Sequence, residues 1–311
     1  MSSFEPAYIR TFEQGLLKEK IAKAYSSLKS CVLCPRKCGV DRLSGETGIC
    51  MTAKRAWVSS YNPHFGEEEP LVGAHGSGTI FFTHCNLLCI FCQNFDISHQ
   101  SNGRQISEDE LAGLMLALQN QGCHNINFVT PSHVVPQILS AVEIAVQRGL
   151  SIPLVFNTGG YDRIATLKLM DGVIDIYMPD FKFWDSHVAE MTCQAADYPK
   201  VAQKALIEMH RQVGDLQVDD AGIARRGLLI RHLVLPNGLA GTREIMRFIV
   251  QHISPDSYVN VMSQYRPCGR AAEVEGLNSH LLPKEYHMAV KAAKQEGITR
   301  LDQPRRMFRF R

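Results

Sequence analysis

The chain has 311 residues, of which 45% are hydrophobic and 21% charged, close to the averages of globular proteins. Its 33 basic and 31 acidic residues leave a net charge of +2, which calls for neither a nucleic acid nor a membrane surface as partner. These figures exclude a disordered, collagen-like or coiled-coil protein, and no apolar run approaches the roughly 20 residues of a membrane helix.

In chain order, Phe12, Leu16, Leu17, Ile21, Ala24 and Leu28 recur at helical spacing and predict one amphipathic helix over 10–29. The segment before it lacks the basic-then-apolar pattern of a secretion signal, so a cytoplasmic location is expected. Ten cysteines in that reducing compartment are not expected to form disulfides. Seven of them lie between Cys31 and Cys92, a clustering that suggests metal. Residues 31–50 are too broken by glycine and proline for long regular elements; 55–61 reads as a short strand and 62–78 as a loop.

From residue 79 short β-rich runs alternate with helical stretches. Strands are expected near 79–83, 125–130, 153–157, 173–181, 228–235 and 258–262. Helices are expected at 107–120, 133–148, 162–170, 200–213, 242–251 and 283–295, the first opened by a capping box at Ser107–Glu110. Six strands separated by helices predict an α/β fold of parallel βα units, either an open, partial barrel or a doubly wound sheet, since eight units are needed to close a full one. Residues 1–75 form an N-terminal helix and cysteine-rich module, and 76–311 the βα part with a C-terminal extension. Residues 184–226 read as an elaborated crossover with one helix and a polar turn at Asp219–Gly222.

The most specific feature is Cys85-Asn-Leu-Leu-Cys89-Ile-Phe-Cys92, three thiols in eight residues after the first strand of that series. Three soft ligands suit an iron–sulfur cluster or zinc. A cubane cluster usually takes four thiolates, so three leave one iron open, and strand C-terminal ends are where βα barrels keep their sites. A closed structural zinc site would want a fourth ligand.

The triad, followed by Gln93-Asn94, resembles the signature of radical S-adenosylmethionine enzymes, and more narrowly the uncharacterised subgroup similar to pyruvate formate-lyase activating enzymes. The resemblance extends through Cys31-x2-Cys34-Pro-Arg-Lys-Cys38-Gly, Gly45-x2-Gly-Ile-Cys50, His64-Phe-Gly-Glu-Glu68, Asn157-Thr-Gly-Gly-Tyr-Asp162, Pro179-Asp-Phe-Lys182, Met209-His-Arg-Gln-Val-Gly214, Arg231-His-Leu-Val-Leu-Pro236 and Gln264-Tyr-Arg-Pro267. It implies a partial (βα)6 barrel in which Cys85, Cys89 and Cys92 hold a 4Fe–4S cluster and the open iron binds S-adenosylmethionine. It further implies reductive cleavage to a 5′-deoxyadenosyl radical, hydrogen abstraction from a substrate such as a glycyl residue of a partner protein, and an electron donor such as flavodoxin or ferredoxin. Where the activases carry Gly-Gly-Glu after the second strand, this chain reads Val129-Thr-Pro-Ser-His133, as the uncharacterised subgroup does. Two other readings stand beside it: a radical enzyme that methylates or otherwise modifies a peptide or small molecule, and a non-catalytic iron–sulfur or zinc protein of electron transfer.

Further candidates come from strand alternation. Asp180 and Lys182 share a side at a strand end, where they suit ribose hydroxyls and a cofactor carboxylate. Asn260, Met262 and Gln264 share another, and Asn157 ends the third strand. Arg231 and His232 must face opposite ways; Arg231 is taken as the inward residue, a carboxylate or substrate anchor, and His232 as packed against a helix. Gly159-Gly160 lets backbone approach a ligand, and Asn94 follows the triad directly. Gly73-x2-Gly76-x-Gly78 precedes a strand and is no phosphate loop. Cys31, Cys34, Cys38 and Cys50 supply a full set for structural zinc or a second cluster. Cys123, Cys193 and Cys268 read as small buried apolar residues, and the arginine-rich tail at 305–311 as a short edge strand with a solvated face.

Overall fold

The computed structural model describes residues 4–302; the arginine-rich tail lies outside them. Along the chain run α1 (Ala7–Glu13), α2 (Leu16–Ser26), β1 (Ala56–His64), α3 (Glu69–Val72), β2 (Ser77–Phe82), α4 (Phe95–His99), β3 (Arg104–Ile106) and α5 (Glu108–Asn120). There follow β4 (Ile126–Val129), α6 (Val135–Gln147), β5 (Leu154–Thr158), α7 (Ile164–Met170), β6 (Ile176–Pro179), α8 (Ser186–Cys193) and α9 (Tyr198–Val213). The chain continues through β7 (Gln217–Val218), β8 (Ala224–Leu233), α10 (Thr242–His252), β9 (Tyr258–Met262), α11 (Pro283–Glu296) and β10 (Arg300–Leu301).

The fold is α/β. The sheet has ten strands in the order β10-β9-β8-β6-β5-β4-β2-β1-β3, with β7 paired to β8 off that path. The six expected strands are its parallel centre, β2, β4, β5, β6, β8 and β9. β1 and β3 extend one side antiparallel, and β10 extends the other parallel to β9.

The two faces of the sheet carry separate cores. Ile126, Phe128, Phe156, Tyr177, Leu228 and Val259 belong to the large cluster shared with the helices. Their strand neighbours Val155, Ile176, Met178 and Leu229 form a smaller cluster, closed by Leu71 of α3 and by Leu216. Both faces are apolar in the middle of the strands, as a sheet covered on both sides requires. Thr79 and Asn127 are buried polar exceptions in the middle of the inner face, and the cavity opens where Asn157, Asp180 and Arg231 gather at the carboxyl ends.

Several expectations are corrected. The single helix over 10–29 is two helices, broken at Gly15 with φ 72°, a left-handed backbone that glycine adopts without strain. Helices this short are marginal alone; here Tyr8, Leu17 and Leu28 are fully buried, each contributing about 1.5–3 kcal/mol. The pair docks on α6 and α7, with the Tyr8 hydroxyl donating to the Ile152 carbonyl at 2.9 Å and the Ala7 amide to Asp175 at 2.8 Å. The loop over 62–78 contains the end of β1 and all of α3. The crossover at 184–226 holds two helices and a β7–β8 hairpin rather than one helix, the hairpin turn closed by Asp219 accepting from the Ala221 and Ile223 amides. The strand expected over 173–181 is confined to Ile176–Pro179, so Asp180 and Lys182 lie just beyond it. The capping box at Ser107–Glu110 forms as expected, and among the described residues no helix is long and apolar enough to cross a membrane.

Candidate functional site

At the carboxyl ends of the parallel strands lies a cavity of about 430 Å³. Cys85, Cys89 and Cys92 line it, together with Asn94, Asn157, Gly159, Asp180, Lys182, Arg231, Asn260 and Gln264. The residues singled out from the sequence as triad and cofactor binders thus meet in one space, although they span 180 positions from Cys85 to Gln264. Strand register explains the convergence. Val129 pairs with Asn157, Asn157 with Met178, Asp180 bridges Arg231, and Arg231 pairs with Asn260. Each row of inward side chains therefore continues from strand to strand.

The triad occupies the turn between β2 and α4. His84 and Leu88 both have positive φ, 73° and 56°, which lets the chain fold its thiols toward the cavity. Arg36 of the cysteine-rich module holds this turn: its guanidinium donates to the carbonyls of Asn86 (2.9 Å), Leu87 (3.1 Å) and Cys193 (2.6 Å) and also to that of Gln194. Burial pushes the Cys85 thiol up to about 12. The Cys89 thiol is raised by its contact with Cys193, whose Sγ lies 3.3 Å away, and by burial. Cys193 is buried as expected, but it also neighbours the triad. Cys123 is buried, and Cys268, partly buried, is not part of the cavity wall.

Opposite the thiols, Lys182 Nζ meets Asp180 Oδ2 at 2.6 Å. Burial works against the ammonium, but Asp180 and Cys89 outweigh it and its pKa rises. The Tyr198 hydroxyl organises the backbone beneath: it accepts from the Lys182 amide at 2.9 Å and lies 3.0 Å from the Gly159 and Asp180 carbonyls, to one of which it donates. Gly160 is required here, since a Cβ would stand 2.3 Å from the Asp180 carbonyl oxygen. Tyr198→Phe should therefore cost about 1–3 kcal/mol, the value of buried groups left unpaired; a denaturant melt unchanged in midpoint would refute the role.

Arg231 points into the cavity and His232 away from it, as alternation required. His232 lies 2.7 Å from the Phe181 carbonyl and 2.9 Å from Thr242 Oγ1 at the start of α10, and burial lowers its pKa to about 4. The carboxylates that Arg231 meets are the protein's own: Nε donates to Glu68 Oε1 at 2.8 Å, Nη2 to Glu68 Oε2 at 2.7 Å and to Glu67. Asn260 Nδ2 also donates to Glu68 at 2.7 Å. Burial raises the Glu67 pKa, but Arg231 and His64, 3.4 Å away, outweigh it and hold it at about 2.

His64, Glu67 and Glu68 are wall residues that the sequence reading quoted only as a motif, without a site role. A glutamate pair in a stretch without periodicity looks solvated; only its partner 163 positions away makes it a buried ion pair. Among the described residues, no three His, Cys, Asp or Glu side chains converge as a single metal ion demands.

The fold and the site define an α/β protein with a thiol-lined, polar cavity at the carboxyl ends of its parallel strands. No protein-family model matches the chain. It is 32% identical over 292 residues to the uncharacterized protein MJ0674 of Methanocaldococcus jannaschii, an alignment covering 91% of this chain and 80% of that protein. The chain belongs to the family of that archaeal protein.

Proposed function

We propose that this protein is a radical S-adenosylmethionine enzyme similar to the activases of glycyl radical enzymes, its six central strands serving as a partial (βα)6 barrel. The observation that carries the reading is the convergence of the triad and the eight polar and glycine positions on one cavity.

The thiols suit a 4Fe–4S cluster. The Cys193 contact at Cys89, and burial at all three, raise the thiols, so a metal centre is what would draw the protons off. Each thiolate of a cubane binds a different iron, so the three sulfurs need not close on one point. Cys85, Cys89 and Cys92 would hold the cluster, which with S-adenosylmethionine would supply one-electron reductive cleavage and hydrogen abstraction from a substrate.

The chain's own residues bind, orient and exclude water. Lys182, fixed by Asp180, offers an ammonium to a carboxylate. The amides of Asn157, Asn260 and Gln264 both donate and accept, which suits ribose hydroxyls and an amino group. Arg231, saturated by Glu67 and Glu68, stiffens the opposite wall rather than binding the cofactor carboxylate. Phe81, Leu87, Phe91 and Leu233 make the cavity partly apolar, and the resulting low dielectric strengthens every charge interaction inside. A flavodoxin- or ferredoxin-type protein supplies the electron, and a glycyl residue of a partner protein is the substrate class that the resemblance supports.

The test is anaerobic reconstitution with iron and sulfide, reduction with dithionite, and quantification of 5′-deoxyadenosine from S-adenosylmethionine. The nucleoside should form above the level of a Cys85/Cys89/Cys92→Ala variant. A fully loaded protein that neither makes it nor binds S-adenosylmethionine would refute the proposal.

A further inference from the structure

A second, far smaller cavity lies among the N-terminal cysteines. It measures about 10 Å³ and is lined by Cys31, Cys34, Cys38, Cys50, Arg42 and His133, among others. That is room for about one water-sized body, not for an eight-atom cluster.

His133 brings the decisive observation. It is 1% exposed and comes from the segment after β4, remote in sequence from the cysteines. Its Nε2 lies 3.0 Å from the Thr83 carbonyl oxygen. A carbonyl only accepts, so Nε2 carries the proton and Nδ1 keeps its lone pair. Nδ1 is buried with no hydrogen-bond partner, an arrangement that native structures rarely tolerate without a reason. With Nε2 committed to Thr83, Nδ1 is the nitrogen left for the cavity. A ring that hands one N–H to a backbone carbonyl and keeps the other nitrogen free is the usual state of a metal-ligating histidine.

The sulfurs divide three to one. Cys31, Cys34 and Cys50 are buried, while Cys38 reaches solvent in part. Arg42 Nη1 lies 3.9 Å from Cys31 Sγ, so a buried cation stands beside the set. Charge favours the same set. A divalent ion with three thiolates and a neutral imidazole has a net charge of −1, which the fully buried guanidinium of Arg42 offsets.

We propose that Cys31, Cys34, Cys50 and His133 bind one zinc-type divalent ion in tetrahedral coordination, with Cys38 beside it as a dispensable thiol. The thiols do not converge on one point in the metal-free geometry, so they close on the ion by rotation about their Cα–Cβ bonds. The site is separate from the triad but buttresses it. Thr83, which holds His133, lies two residues before Cys85. Thr52 Oγ1 lies 3.2 Å from His84 Nδ1, and Arg36, two residues after Cys34, grips the triad turn.

The experiment uses the full chain carrying Cys85/Cys89/Cys92→Ala, so that no metal can bind at the triad and the result is independent of the radical reading. The protein is stripped of metal and titrated anaerobically with cobalt(II). One equivalent should bind per chain, with the visible bands of tetrahedral cobalt and thiolate charge transfer in the near ultraviolet, and zinc should displace it. Cys34→Ala and His133→Ala should each weaken binding by roughly tenfold or more, while Cys38→Ala stays within about threefold. His133→Cys should retain the site and intensify the charge transfer through a fourth thiolate, which covers the case in which His133→Ala fails to fold. Absence of cobalt binding would overturn the proposal. So would a Cys38→Ala loss equal to that of Cys34→Ala with His133→Ala silent, or an iron–sulfide chromophore in the triad-less protein.

Discussion

Arg231→Met should destabilise the protein by about 3–5 kcal/mol at neutral pH, the usual cost of removing one partner from a buried ion pair. The guanidinium and both carboxylates have little exposure: 15% for Arg231, 7% for Glu67 and 1% for Glu68. Methionine fills the volume but leaves two acids in the wall with no cation except the partly exposed His64. The effect depends on pH with a defined sign. Glu67 sits at about 2 in the folded protein against 4.5 ordinarily. A depressed acid contributes stability that is present above its unfolded pKa and lost as pH falls through its folded one. The gap between wild type and variant should therefore be full at pH 7 and shrink between about pH 4.5 and 2, because the wild type loses its advantage there. Urea melts of both proteins across that range measure it. A gap that stays constant to the acid limit would show that the pair is not what Arg231 stabilises.

On the proposed function, Lys182→Met should lower 5′-deoxyadenosine formation roughly 10²-fold, the scale on which a single preorganised charge acts in a closed site. The side chain is 18% exposed and its ammonium interacts electrostatically with Cys89 and Cys92. Methionine keeps the apolar stem and removes only the charge. Asp180 is left without its partner, but at 20% exposure it still reaches water, so the melting midpoint should move by no more than about 2–4 °C. The two readouts separate a site role from a structural one. Normal turnover with a collapsed midpoint would make Lys182 a structural ion-pair member, against the present assignment.

The two predictions rest on residues that were unequally legible. Lys182 and Asp180 stand two apart after an apolar strand, and period-two alternation is a local rule that needs no knowledge of the fold. The same rule separated Arg231 from His232. The triad was legible for a different reason: three thiols in eight residues have no ordinary structural explanation, and the strand before them places them at a strand's carboxyl end. The capping box at Ser107 is equally local, since both its hydrogen bonds close within three residues.

What the tertiary structure decided are the properties that depend on distant partners. Tyr8 and Leu17, nine positions apart, would lie on opposite sides of one straight helix, and the break at Gly15 lets both be buried. Glu67 and Glu68 read as an acidic pair in a short motif until β8 brings Arg231 against them as a buried ion pair. Cys193 reads as apolar filling until α8 sets its sulfur beside Cys89. His133 stands in a segment that departs from the activase pattern, and only the fold sets its ring in the wall of the small cavity that the four cysteines line. Periodicity and spacing are written along the chain. Burial and pairing depend on which strands and loops meet, so they appear only when the sheet has assembled.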